Sequence, residues 1–267
     1  AGEIDTLVIL NGNPVYDAPA DVPFAEALAN VPTSIHLDQY DNETSQQCTW
    51  HVNAAHWLEA WGDARSYDGT ISFVQPLILP LFDGRSAIEM LSLMLGTTIT
   101  QDTAYEQVRQ TFTSTQGFRS WVEKPWRKAL HDGYIADTAY PAIEPDGVNI
   151  PMQLPNRMAP QGTFEICFQP STSVYDGRFA NNGWLQELPD PLTKLTWDNA
   201  ALMSPKTAKM CRVWLEDRIE VQIDGRRATL PVYPMPGMAD DTIALPLGYG
   251  RTAAGHVGND VGVNVYP

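Results

Sequence analysis

A short apolar segment that ends in a turn-forming loop constrains the fold of this chain more than any other feature. Residues 6–10 read TLVIL and run directly into Asn11-Gly12-Asn13-Pro14. A five-residue apolar run bounded by glycine and proline predicts a buried, parallel strand. Open α/β sheets bind ligands at loops that follow the carboxyl ends of such strands. This loop therefore either holds a ligand or only turns the chain.

Composition and charge exclude several classes of function. The chain has 267 residues, 43% of them hydrophobic, which suffices for one large or two modest domains. Its 17 basic and 32 acidic side chains give a net charge of −15, which repels nucleic acids and anionic lipid headgroups. No apolar run approaches the roughly 20 residues that span a bilayer. No signal peptide opens the chain, and a core strand so near residue 1 predicts a fragment of a longer polypeptide, although processing to a mature form would give the same start.

The first half of the chain alternates strand and helix signals, which predicts a partial α/β domain over residues 1–133. After the first strand, we predict a short helix capped by Asp21 and strands at 33–37 and 69–75. A Ser86–Glu89 capping box predicts a helix that ends at Gly96. A further helix is predicted over 118–133, where Pro125 should kink or split it.

The second half has a different pattern. Five prolines and little periodicity between residues 134 and 163 predict a linker. Residues 164–267 then hold several short strands and one small helix, SPKTAKM, which predicts a compact β-barrel. Asp224-Gly225 is typical of a type I′ turn in a β-hairpin.

Most of the familiar catalytic and metal-binding patterns are absent from the sequence. Cys48, His51 and His56 do not have zinc-site spacing, and we predict neither a metal site nor a catalytic residue. There is no G-x-S-x-G elbow, Walker A loop or G-x-G-x-x-G. Three cysteines cannot ligate a cubane cluster and allow one disulfide at most, so we expect buried thiols that pack as small hydrophobes; they are Cys48, Cys167 and Cys211.

Two glycine-rich loops remain as candidate sites, residues 12–14 and residues 248–262. Glycine permits the close backbone approach that a phosphate or a flat heterocycle requires, but it also suits plain turns. Each loop alone fits both interpretations.

Taken together, the motifs resemble the C-terminal part of the molybdopterin oxidoreductase superfamily. LVILNGNPVYDAPAD (7–21) resembles that family's strand ending in a G-x-N-P loop. The segment from Glu43-Thr44 onward resembles a family segment that starts with E-T. Residues 181–210, the hairpin and IALPLGYGR (243–251) resemble the final double-psi β-barrel. Longer phrases, HWLEAWGDARSYDGT and LGYGRTAAGHVGNDVGVN among them, are similar to the large iron–sulfur subunit of bacterial alternative complex III.

The resemblance implies an α/β plus β fold, with a partial parallel-sheet domain followed by a double-psi β-barrel. It implies a half-subunit without a molybdenum cofactor, docked to a ferredoxin-like half that carries iron–sulfur clusters. It also implies a membrane respiratory complex that oxidises quinol on the periplasmic side, with the chain itself outside the bilayer.

The resemblance implies that nine residues of this chain are equivalent to the family's cofactor-lining positions and are vestigial here. They are Gly12, Asn13, Pro14, Asn199, Ser204, Gly248, Tyr249, Gly250 and Arg251. Two departures imply a remodelled turn. The barrel helix opens with Ser204-Pro205 where the family has Asn-Pro. MCRVWLED has lost both glycines of the usual L-G-x-x-x-G-D, so we expect the positive-φ conformations of that turn to be lost as well.

Our leading hypothesis is a cofactor-free scaffold that is not catalytic by itself, in which the Gly12 loop binds nothing. The second is part of a genuine molybdenum enzyme, with both loops gripping molybdopterin guanine dinucleotide. A free-standing guanine-nucleotide module is a third. Aromatic residues are enriched at interfaces, so exposure of Trp121, Trp126 and Trp184 would favour a scaffold over core filling.

Overall fold

The computed structural model describes residues 2–116, 122–144, 147 and 163–266. The helices are α1 (Pro14–Asp17), α2 (Phe24–Leu28), α3 (Ala87–Met94), α4 (Thr103–Thr115), α5 (Glu123–Asp132), α6 (Gly183–Glu187) and α7 (Pro205–Cys211). The strands are β1 (Thr6–Leu10), β2 (Thr33–Asp38), β3 (Trp50–Asn53), β4 (Gly62–Arg65), β5 (Ile71–Val74), β6 (Tyr134–Ile135), β7 (Glu165–Gln169), β8 (Ala201–Met203), β9 (Arg218–Ile223), β10 (Arg226–Pro234) and β11 (Thr242–Pro246).

The strands form three sheets. β1, β2 and β3 make a parallel sheet in that order, which confirms that TLVIL is a parallel strand. The strand is half-buried rather than buried as predicted. β4, β5 and β6 make a small antiparallel sheet. The remaining strands form a mixed, curled half-barrel in the order β7-β11-β8-β10-β9.

Three apolar clusters stabilise these layers in the described part of the chain, and the smallest is formed by Ala200, Leu202 and Ala244. Inside the half-barrel, Leu230, Val232 and Met203 are almost fully buried. The second core lies where α4 and α5 cover the antiparallel sheet, around the side chains of Trp126 and Phe112. Trp126 is only 1% exposed, and its indole N–H donates to the Tyr105 hydroxyl at 2.9 Å.

Several local predictions are confirmed. The Ser86–Glu89 capping box starts α3, with Ser86 Oγ accepting from the Glu89 N–H at 3.2 Å. The Asp224-Gly225 hairpin joins β9 to β10, with φ of 47° and 85° at the two turn residues. Strands also form at the predicted positions in 33–37 and 69–75.

Other local predictions are wrong. Asp21 does not cap α2, because the helix starts three residues later with Pro23 at its N-cap. Pro125 does not kink α5, because the helix begins at Glu123 and the proline falls in the first turn, where its missing N–H is tolerated.

The three cysteines are free thiols, and the expectation that they are buried is wrong: Cys48 is half-buried, and the other two are exposed. Cys167 lies on β7, an edge strand of the half-barrel, and Cys211 ends α7. The tryptophans divide between the two interpretations: Trp126 fills a core, whereas Trp184 is 89% exposed. Trp121 and most of the predicted linker lie outside the described residues.

Candidate functional site

The Gly12 loop lies at the carboxyl edge of the parallel sheet. β1 and β2 end side by side, at Leu10 and at Asp38. Asn11 and Gly12 adopt φ of 61° and 84°, so the chain leaves the strand in a left-handed turn, and the Asn11 N–H donates to the Leu37 carbonyl at 2.8 Å. Pro14 then starts α1. This is the edge at which open parallel sheets present ligand sites.

A buried ion pair joins this edge to the glycine-rich tail of the chain. Arg251 Nη2 lies 2.7 Å from Glu43 Oε2, and Arg251 Nε lies 2.9 Å from Glu43 Oε1. The two side chains are 6% and 9% exposed. Glu43 Oε1 also accepts the backbone N–H groups of Thr252 and Ala253, at 2.8 and 2.9 Å. A bidentate, charge-assisted contact of this kind is geometrically specific.

Asn13 connects the Gly12 loop to that ion pair. Its Nδ2 donates to Glu43 Oε2 at 2.7 Å, and its Oδ1 accepts from the N–H and the hydroxyl of Thr44, at 3.1 and 2.8 Å. Thr44 Oγ1 in turn accepts from the Val15 N–H at 3.0 Å. The loop, the Glu43-Thr44 segment and the tail therefore form one hydrogen-bonded network.

Tyr16 adds a third connection between α1 and the tail. Its hydroxyl donates to the Tyr249 carbonyl at 2.6 Å, and the Arg251 guanidinium lies over its ring at 4.9 Å from the centroid. The Tyr266 ring meets it edge to face at 5.2 Å. Burial raises the pKa of the Tyr16 hydroxyl well above its usual range, so the group is a neutral donor.

The electrostatics of Glu43 follow from these contacts. Burial alone would raise the pKa of its carboxyl, but hydrogen bonds from Arg251, the Ala253 N–H and Asn13 lower the pKa to about 2. Arg251 also donates to the carbonyls of Gly177 and Ala253, at 2.6 and 3.2 Å. Its guanidinium is therefore occupied by protein acceptors.

A polar cleft of about 450 Å³ borders the network. Its polar lining residues include Asn11, Gly12, Asn13, Asp38, Asp176 and Arg178, and aromatic side chains such as Tyr40, Trp57 and Phe179 also line it. Burial raises the pKa of Asp176, but hydrogen bonds from Arg178 reverse that shift and hold it below the usual range. The cleft thus presents carboxylates and amides at the end of the parallel sheet.

His36 is buried on β2 beside this cleft. Its Nδ1 lies 2.8 Å from the Ser45 hydroxyl, and its Nε2 lies 3.8 Å from the Asp38 carboxylate. Burial lowers the pKa of His36, more than the nearby Asp38 raises it. The ring is therefore a neutral packing group.

The glycines of the two loops differ in the space around them, which tests the fit of a pterin dinucleotide. A Cβ atom at Gly12 would meet only Pro14 Cδ, at 4.0 Å, so this loop could approach a ligand closely. A Cβ at Gly248 would lie 2.7 Å from the Gly177 nitrogen, and one at Gly250 would lie 2.1 Å from the Asn264 nitrogen. The second loop uses its glycines for contact with its own chain, so the first loop fits the group and the second does not.

Asn199 and Ser204 have structural partners. Asn199 donates to the carbonyls of Pro246 and Val263 and accepts the Val263 N–H, at 3.0, 3.0 and 2.8 Å, which ties the tail to β11. Ser204 is the N-cap of α7, where its Oγ accepts the Thr207 N–H at 3.0 Å and donates to Asp240 at 2.7 Å.

The turn after α7 keeps left-handed residues although the family's glycines are missing. Arg212 and Glu216 take φ of 59° and 72°. The expectation that these conformations were lost is therefore wrong: non-glycine residues adopt them, at a cost of roughly 1–2 kcal/mol each.

The structure thus brings together only part of the predicted set. Gly12, Asn13 and Arg251 meet at the cleft, and Tyr249 joins them through its carbonyl. Gly248 and Gly250 serve packing, whereas Asn199 and Ser204 serve the half-barrel. Sequence reasoning did not select Glu43, the centre of the network. Its signal was the E-T pair at the start of the family-like segment.

Within the described ranges, no group of three or more His, Cys, Asp or Glu side chains is placed to hold a metal ion. Likewise, none of the helices in that part of the chain is long and apolar enough to cross a bilayer.

Comparison with known proteins gives two likenesses. The chain is 23% identical, over 97% of its length, to the menaquinone reductase molybdopterin-binding-like subunit of Nitratidesulfovibrio vulgaris. Its fold matches acetylene hydratase from Pelobacter acetylenicus with a TM-score of 0.63 over 96% of the chain, at 16% identity. The chain spans 38% and 40% of these two proteins. No protein-family model matches. The likenesses support the molybdopterin oxidoreductase superfamily that the motifs resemble.

Proposed function

We propose that the chain is part of a molybdopterin-oxidoreductase-like subunit of a respiratory complex, in which it acts as a scaffold without a cofactor of its own. The observation that carries the proposal is the Glu43–Arg251 pair. It joins the edge of the parallel sheet to the tail directly and occupies groups that would otherwise face a ligand. The likeness to a menaquinone reductase subunit supports the respiratory setting.

The finer description is also a proposal. The half-barrel corresponds to a double-psi β-barrel, residues 1–133 and 164–267 are separate domains joined by residues 134–163, and the complex is alternative complex III. Iron–sulfur clusters then belong to a ferredoxin-like partner, and the chain lies on the periplasmic side of the inner membrane. The family-like phrases in the sequence support this assignment.

A substitution at Gly12 distinguishes the scaffold hypothesis from the hypothesis of a cofactor site. Asparagine accepts a left-handed φ, as Asn11 does next to it, and its side chain would enter the open cleft. We expect Gly12→Asn to leave the quinol-oxidation rate of the purified complex within about a factor of two of wild type. Loss of activity with normal assembly would contradict the scaffold.

The second candidate function is part of a genuine molybdenum enzyme. The cleft favours it, because its 450 Å³ lie at the carboxyl ends of β1 and β2, with Gly12 open towards the space. In that case Gly12, Asn13 and Arg251 would hold the guanosine end of a pterin dinucleotide, and the group would supply the redox chemistry. Arg251 would first have to exchange Glu43 for the ligand.

A further inference from the structure

Exposed apolar side chains are concentrated on the segment between β5 and α4. We name it the 77–95 surface and define it by the side chains that the inference uses: Leu77, Leu79, Leu81, Phe82, Met94 and Leu95. Phe82 is 78% exposed and Leu95 is 86% exposed. Scattered exposed leucines are normal, but a concentration of large apolar side chains marks an interaction site.

The backbone beneath this surface is held in place, so the side chains are not exposed through disorder. The Leu77 N–H donates to the Leu58 carbonyl at 2.8 Å, and the Leu81 N–H donates to Glu59 Oε1 at 3.2 Å. At the far end, Asn53 Nδ2 donates to the Phe82 carbonyl at 3.3 Å. A preorganised apolar loop of this kind loses little entropy on binding.

The apolar area of the surface fits the centre of a protein interface. The six side chains, four on the loop before α3 and two at the end of α3, are each half to nearly fully exposed and together expose on the order of 500 Å² of apolar area. A standard interface buries about 800 Å² on each partner, with an apolar centre and a polar rim. The 77–95 surface is large enough to be that centre.

Charge defines the chemistry of the partner. Residues 75–82 and 90–101 contain no charged side chain, although the chain as a whole carries −15. A cleft of about 330 Å³ beside the loop is lined by three acids and one base, namely Glu59, Glu89, Asp102 and Arg85. Glu89 lines this cleft, and Leu95 lies about 9 Å beyond Glu89 along the axis of α3. A complementary surface is apolar at its centre and basic at its edge.

This charge pattern also argues against a lipid surface. Peripheral membrane binding draws on Lys and Arg beside the apolar residues, because the headgroups are anionic. Here the neighbouring cleft is acidic and the net charge is strongly negative. The acidic rim therefore disfavours a bilayer and favours a protein.

We propose that the 77–95 surface docks a partner subunit through an apolar segment flanked by Lys or Arg. The inference rests on the proposed function, because it requires a complex with other subunits. It goes further by assigning the contact to one surface and by stating the chemistry of what covers it.

Site-specific photo-crosslinking in the assembled complex tests this proposal. p-Benzoylphenylalanine replaces Leu79 or Leu95, and the matched control replaces Tyr67, which is fully exposed in a turn away from this surface. We expect both test positions to crosslink to another subunit, at an apolar segment bordered by basic residues. No crosslink above the Tyr67 control would overturn the proposal. So would crosslinks to lipid, to a second copy of this chain or to another segment of the same polypeptide.

A charge variant gives an independent readout. We expect Leu79→Asp with Leu95→Asp to lower the assembled fraction about tenfold, while Tyr67→Asp leaves it unchanged. Normal assembly of the double variant would overturn the proposal. If the wild-type chain sediments alone, without other subunits, the proposed function itself is contradicted. If the complex forms but the surface makes no crosslink, only the docking inference fails.

Discussion

At the scale of single residues, Glu43 and Arg251 depend on each other for their burial. Each is less than a tenth exposed, and each satisfies the charge of the other. A buried ion pair of this kind adds little net stability over apolar neighbours, but loss of one member leaves an unpaired charge in a poorly solvated place. The effect of the pair on stability is therefore largest when only one of its two residues is replaced.

Glu43→Gln is expected to lower the free energy of unfolding by about 3–5 kcal/mol, because Arg251 stays buried without its counter-charge. Combining it with Arg251→Met should cost about 2 kcal/mol less than the sum of the two single changes. Glu220→Gln is the control, since it breaks the exposed 3.3 Å pair with Arg227 and should cost less than about 1 kcal/mol. Urea unfolding measures all four variants, and a Glu43→Gln cost as small as the control's would contradict the account.

Glu43 also predicts a pH dependence. Its folded pKa of about 2 lies below the unfolded value of 4.5, so the unfolded chain binds the proton more readily. The Glu43 carboxylate therefore contributes about 3 kcal/mol to the free energy of unfolding. This contribution is fully present above about pH 4.5 and is lost as the pH falls towards about 2. The stability difference between wild type and Glu43→Gln should therefore be constant above about pH 4.5 and shrink as the pH falls from there towards about 2. A difference independent of pH would show that the carboxylate charge is not responsible.

At the scale of elements, Ser204 starts a helix where the family resemblance places a cofactor-lining position. Ser204→Ala is expected to destabilise the chain by about 1–2 kcal/mol, as Ser86→Ala should at α3. Asp102→Ala is the matched control at α4, where the N-cap side chain makes no capping hydrogen bond. Thermal unfolding of the three variants tests the cap. A Ser204→Ala cost no larger than that of Asp102→Ala would contradict it.

Elements with local signals were predictable from the sequence. The Ser86 capping box and the Asp224-Gly225 turn depend on residues a few positions apart, and both form as expected. β3 and β4 were not predicted, because Trp50–Asn53 and Gly62–Arg65 lack regular alternation and become strands only by pairing with β2 and β5.

The candidate site was predictable only in part, for a related reason. Its two loops carry glycine signals, but Glu43 and Arg251 meet across about two hundred positions of sequence. A charge that is buried by a distant partner looks like any surface charge in the sequence. The same applies to Gly248 and Gly250, whose close neighbours are Gly177 in the loop between β7 and α6 and Asn264 in the tail.

At the scale of the whole molecule, the two exposed regions have different chemistry. The cleft beside Gly12 is polar and is bordered by a satisfied network, whereas the 77–95 surface is apolar and uncovered. In the scaffold account the first is an inherited site whose arginine, Arg251, is held by the chain's own acceptors, and the second is a working contact. A respiratory subunit without its own cofactor would act through such contacts.

The central claim is tested most directly by the molybdenum and pterin content of the full-length protein in its purified complex. Molybdenum is measured by mass spectrometry, and pterin by fluorescence after oxidative release, with a molybdenum enzyme purified in parallel as the control for recovery. The account predicts only traces of both relative to the subunit. Stoichiometric molybdenum together with released guanine nucleotide would contradict it and make the Gly12 cleft a working cofactor site.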